Sequence, residues 1–144
     1  MARTSDLPGG LFISLWRDKW LLAASFVLLW HARITTRLLG FGDPRERCLR
    51  TVAKPPASPA LARRVALSVE RASTMVAEPT CLTKAIAGQR LLALKGFGSQ
   101  IRVGVRKAGT SQFEAHAWLM SGGLTVLGGT PDELAGFQVL IGSG

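Results

Sequence analysis

Two side chains in this sequence pair the right types for nucleophilic chemistry: Cys81, which follows Thr80, and His116, in the run FEAHAW. Thr80 suits the N-cap of a helix that begins at Cys81. In a first helical turn the backbone N–H groups are unpaired and the positive end of the dipole faces outward, so an anion is favoured there. A thiolate is such an anion, and it is the thiolate that attacks a carbonyl carbon. The same N–H groups could hold the oxyanion that the attack creates.

His116 lies in a segment with a period of two, which puts Glu114, His116 and Trp118 on one face of a strand and Phe113, Ala115, Ala117 and Leu119 on the other. A helix packed on the histidine face would bring Cys81 to the imidazole, which could then carry the thiol proton. Types and spacing alone fit a second reading too. A buried cysteine that only packs, and a strand histidine that only makes a hydrogen bond, are the commoner cases.

The elements that must position this pair follow from the pattern around it. Residues 1–10, MARTSDLPGG, carry Pro and two glycines before any periodicity and read as a loose arm. Residues 15–39 read as one long helix that Gly40 ends. The stretch with Pro44, Pro55 and Pro56 is a connector. Ser58 then caps a second helix, with Pro59 at its first position and its end near Ala77. The helix from Cys81 runs to Lys95, with Gly96 just past its end.

Beyond it the period changes from 3.6 to 2. Ile101, Val103 and Val105 alternate with Arg102, Gly104 and Arg106 in a strand, with a turn at residues 107–110. A hairpin partner spans residues 112–120, a third strand 124–127 and a last one 137–141. Helices first and an antiparallel sheet afterwards is the α+β class. One domain over residues 1–144 is expected, with the arm at 1–10, the apolar helix and connector at 11–57 and a catalytic core at 58–144.

Composition narrows the function classes. The formal charge of +9, from 18 Lys and Arg against 9 Asp and Glu, attracts anionic partners without naming them. The basic residues are scattered and no Tyr is present, so nucleic-acid binding is not expected. Two cysteines, Cys48 and Cys81, give no disulfide framework, which suits a reducing cytoplasm. Neither has a CxxC neighbour or flanking His, so no metal and no cofactor is expected. The apolar run WLLAASFVLLW, residues 20–30, is short of the about 20 residues that a membrane span requires. Its helix reads as a core element, with peripheral contact to a membrane surface or a partner through residues 15–39 as the alternative.

The stretch CLTKAIAGQRLLALKGFGSQIRVGVRKAGTSQFEAHAW resembles the core of the lasso-peptide leader peptidases of papain/transglutaminase-like fold. Their pattern opens with Cys-Leu and runs through an amphipathic helix to Leu-Leu-x-x-x-Gly, here Leu91, Leu92 and Gly96. A strand with Val-Gly-Val-Arg follows, here Val103 to Arg106, and then Ala-His-Ala-Trp, here Ala115 to Trp118. The resemblance implies a cysteine peptidase with Cys81 as nucleophile, His116 as base and an acid that orients the imidazole. The family usually has that acid, an Asp, in the next strand, whereas SGGLTVLGG here contains none. Asp132, in the turn TPDEL, is the expected substitute. Capping of a helix start is an equally apt role for that turn.

The resemblance further implies cleavage of a precursor in its leader region, a separate leader-recognition protein, and an ATP-dependent lasso cyclase that closes the released core. No segment of the sequence has room for the recognition domain. Two rivals stand beside this reading. Acyl transfer to an amine would use the same thioester, and a scaffold without catalysis is suggested by the missing strand Asp.

Overall fold

The computed structural model describes residues 9–39, 54–77 and 79–141. The element order is α1 (Gly9–Leu39), α2 (Pro59–Ser73), α3 (Cys81–Leu94), β1 (Gln100–Ala108), β2 (Gln112–Ser121), β3 (Leu124–Leu127), α4 (Pro131–Leu134) and β4 (Gln138–Ile141). Three long helices thus precede a four-stranded sheet of order β3-β2-β1-β4, antiparallel throughout, and the α+β arrangement is the expected one.

Helix α1 begins at Gly9, ahead of the expected start, so most of the arm read at residues 1–10 and most of the connector lie outside the described residues. Its core face is the stripe Leu21, Ser25, Leu29 and Ala32, spaced by one helical turn. Ser25 is buried on that stripe because its hydroxyl donates to the Leu21 carbonyl at 2.7 Å. Trp20, Val27, Trp30, Ile34 and Leu38 remain exposed on the rest of the circumference. No helix among the described residues is long and apolar enough to cross a membrane.

Ser58 caps α2, accepting from the Leu61 N–H, and Pro59 stands in the first turn. The helix stops at Ser73, before the expected Ala77, because the chain turns back on itself through side chains. Ser73 donates to the Glu70 carbonyl and Thr74 to the Arg71 carbonyl, each at 2.7 Å, so these carbonyls are satisfied locally. Its buried stripe Val65, Val69 and Ala72 meets α1 and α3.

Helix α3 is the centre of the core. Ala85, Ile86, Leu91 and Leu92 are buried, and Leu119 and Leu127 of the sheet lie against its Gly88. Truncating any of the buried leucines to Ala would cost about 2–5 kcal/mol. The hairpin β1–β2 pairs Ile101 with Leu119, Val103 with Ala117 and Gly104 with His116. The buried Ser121 closes the sheet's end by donating to the Gly98 carbonyl and accepting from the Ala57 N–H. These two bonds tie the chain before α2 to the end of β2.

Candidate functional site

The N-terminus of α3 is built by Thr80. Its backbone is extended, its Oγ1 accepts from the Thr83 N–H at 3.1 Å, and the Lys84 N–H closes the first helical bond on the Thr80 carbonyl. Cys81 is the first helical residue, half-buried, with a free thiol. The N–H groups of Cys81 and Leu82 precede the first intrahelical bond, so they are available to an anion beside the sulfur.

His116 reaches the same place by a different route from the one the alternation suggested. Helix α3 packs on the Leu119 face of the sheet, so His116 and Trp118 belong to the opposite face. The Cys81 and His116 side chains both open on the sheet's edge, where β3 ends at Leu127 and the chain leaves through Gly128 and Gly129. Cys81 and His116 both line an open cleft of about 270 Å³ there. Its other walls are Glu70 and Lys84 on the helical side and residues 127–129 on the strand side.

The imidazole is fixed on three sides. Its Nε2 is hydrogen-bonded to the Gly128 carbonyl. The Trp118 ring stacks on it with centroids 6.2 Å apart, and Phe137 lies at 5.4 Å. Phe137 is itself covered by the Arg106 guanidinium at 4.5 Å, and Arg106 is held by Glu114. Trp118 is almost fully buried, because its ring crosses Gly104 of β1: a Cβ built there would stand 2.9 Å from the indole and 2.9 Å from the Gln138 carbonyl. The glycine of the Val-Gly-Val-Arg run is therefore the space that the tryptophan occupies.

No hydrogen bond or ion pair links Asp132 to the imidazole among the described residues. Asp132 is exposed in the first turn of α4 and makes no hydrogen bond or ion pair among the described residues. The turn is a capping box: Thr130 accepts from the Glu133 N–H, and the Glu133 carboxylate accepts from the Thr130 N–H at 2.7 Å. The Glu133 carboxyl is held below its ordinary range, first by the Thr130 N–H, then by the Thr130 hydroxyl, with a last contribution from the His116 charge.

Glu70, Lys84, Phe137 and the Gly128 carbonyl are the parts of the site that residue types did not announce. Lys84 sits one turn beyond Cys81 and pairs with Glu70 at 2.9 Å on the cleft rim, a relation that helical spacing could have suggested for the lysine alone. Among the described residues no group of His, Cys, Asp and Glu could hold a metal ion.

A protein-family model described as the transglutaminase-like superfamily matches residues 26–142. No curated protein and no solved structure matches the chain.

Proposed function

The chain belongs to the transglutaminase-like superfamily, and on that premise we propose that it is a cysteine peptidase that removes the leader from a lasso-peptide precursor. The single observation that carries the catalytic part is that Cys81, at the head of α3, and His116, on β2, line one cleft. Cys81 Sγ attacks the scissile carbonyl, the first-turn N–H groups receive the oxyanion, and His116 passes the thiol proton to the departing amine. Water then opens the thioester, with His116 as base, and frees the acid.

The lasso-peptide assignment rests on the ordered resemblance from Cys81 to Trp118. A leader-recognition protein would deliver the precursor and an ATP-dependent cyclase would receive the core. The exposed apolar stripe of α1, with Trp20 and Trp30 beside Lys95 and Arg33, supports a docking role for that helix toward the delivery partner.

The test incubates the protein with precursor and leader-binding partner and weighs the products. The wild type should yield leader and core as separate masses, and Cys81→Ala and His116→Ala should each lower the rate at least about a thousandfold. A core joined to an added amine would assign acyl transfer instead. Precursor left intact by the wild type, while the partner demonstrably binds it, would remove the peptidase reading.

A further inference from the structure

The acid that orients the histidine in a Cys/His site accepts a hydrogen bond from one ring nitrogen, and thereby fixes the tautomer and the plane of the ring. Here the group in that position is a peptide carbonyl. His116 Nε2 meets the Gly128 oxygen, and a carbonyl oxygen can only accept, so Nε2 carries a proton and in the neutral ring Nδ1 is the bare nitrogen. We propose that the backbone carbonyl of Gly128 is the positioning group for His116, in the place of an acidic side chain, and that Asp132 has no part in it. The inference rests on the reading of Cys81 and His116 as the reacting pair.

Three observations support a carbonyl built for that role. Gly128 has a φ of +106°, which turns its peptide out of the strand direction of β3 and toward the ring. A Cβ at Gly128 would stand 2.4 Å from the Cβ of Trp118 and 3.1 Å from the Ala117 carbonyl, so loop and strand touch directly beside His116. The loop's far end is clamped by the Thr130–Glu133 capping box, whose bonds fix the peptide two residues on. The acid of this region therefore acts at one remove: Glu133 holds the loop, and the loop's carbonyl holds the imidazole.

A carbonyl differs from a carboxylate in one consequential way. It sets tautomer and direction as well as an Asp does, but it brings no full negative charge to balance an imidazolium. The stacked Trp118 and tilted Phe137 supply the remaining restraint on the ring plane.

The test reads the tautomer directly. Long-range proton–nitrogen NMR on the uniformly ¹⁵N-labelled full chain distinguishes the two neutral tautomers, and with two histidines in the sequence a His116→Gln sample assigns the signals. The Nε2–H form is expected for the wild type, and unchanged in Asp132→Asn and Glu133→Gln. A Nδ1–H form, or a tautomer change caused by Asp132→Asn, would overturn the proposal. Replacing the Gly128–Gly129 amide by an ester weakens the acceptor without adding an atom, and should mix the tautomers. In the cleavage assay it should lower kcat about tenfold with KM unchanged, while Asp132→Asn stays within about twofold. An ester that leaves tautomer and kcat as in the wild type would also overturn it. The NMR result does not depend on turnover, so an inactive protein with the Nε2–H form would sink the peptidase reading alone.

Discussion

Cys81 and His116 face the same cleft, yet the first is held there by its neighbours in sequence and the second by groups from most of the sheet. Thr80, Cys81 and Thr83 form a complete cap within four residues, and everything the sulfur needs is local. The imidazole is held by Gly128 after β3, Trp118 on its own strand, Phe137 before β4 and, through Trp118, Gly104 on β1. A side chain placed by a helix start tolerates change elsewhere. An imidazole placed by strand register does not, because each support arrives from a different part of the chain and no one of them can be exchanged for its neighbour.

The largest effect on stability should therefore come from a glycine, which has no side chain of its own to contribute. Gly128→Ala forces a Cβ into the Trp118 backbone and asks a non-glycine residue to hold a φ of +106°. Overpacking of this kind costs about 3 kcal/mol, read as a lower denaturation midpoint at constant m-value, and the cleavage rate should fall further than stability does. A variant of wild-type stability and activity would break the comparison at once. Gly104→Ala comes next, at about 1–3 kcal/mol, because the indole edge at 2.9 Å is a side chain that can shift, though the Gln138 carbonyl beside it cannot. Near-ultraviolet circular dichroism should report the displaced Trp118.

The same contrast explains what could be read from the sequence. Thr80, Cys81 and the helix after them were legible because capping and the 3.6 period are written in consecutive residues. The third strand at Leu124–Leu127, set off by the Gly122–Gly123 turn, was legible for the same reason. The start of α1 at Gly9 was not, since Gly and Pro there speak for a loop and the apolar face that holds the helix lies further along. The end of α2 was misplaced by four residues that still look helical, because hydroxyls of Ser73 and Thr74 bonding backward leave no pattern in hydropathy. The orienting group was invisible for a deeper reason. A search for an acid finds side chains, whereas the Gly128 carbonyl is common to every residue type and is distinguished only by where the fold puts it.

On the nucleophile's side a smaller penalty is expected. Thr80→Ala removes the acceptor for the Thr83 N–H and should cost about 1 kcal/mol of stability, with Thr80→Ser restoring it. Denaturant titration measures the stability, and the cleavage assay should show a modest loss that tracks it. A loss of activity as severe as that of Gly128→Ala would mean that the sulfur, too, depends on more than its local cap, and the distinction between the two ends would fail.

The smallest effect is a pH dependence at the clamp of the Gly128 loop. The folded Glu133 carboxyl sits below its ordinary value of 4.5, chiefly through the Thr130 N–H, so the unfolded chain binds its proton more readily. The stabilisation is then complete above that ordinary value and is lost as the pH falls through the lowered folded one. Because the carboxyl is exposed, salt should weaken this contribution where the group is ionised. Thermal unfolding of wild type and Glu133→Gln from about pH 6 to about pH 3 isolates this contribution. The wild type should be the more stable at the upper end and converge on the variant at the lower. A difference that stays constant with pH would show that Glu133 clamps the loop through shape alone. The support of His116 would then involve no ionised side chain, direct or indirect, which sharpens the contrast with a Cys81 held by a local cap.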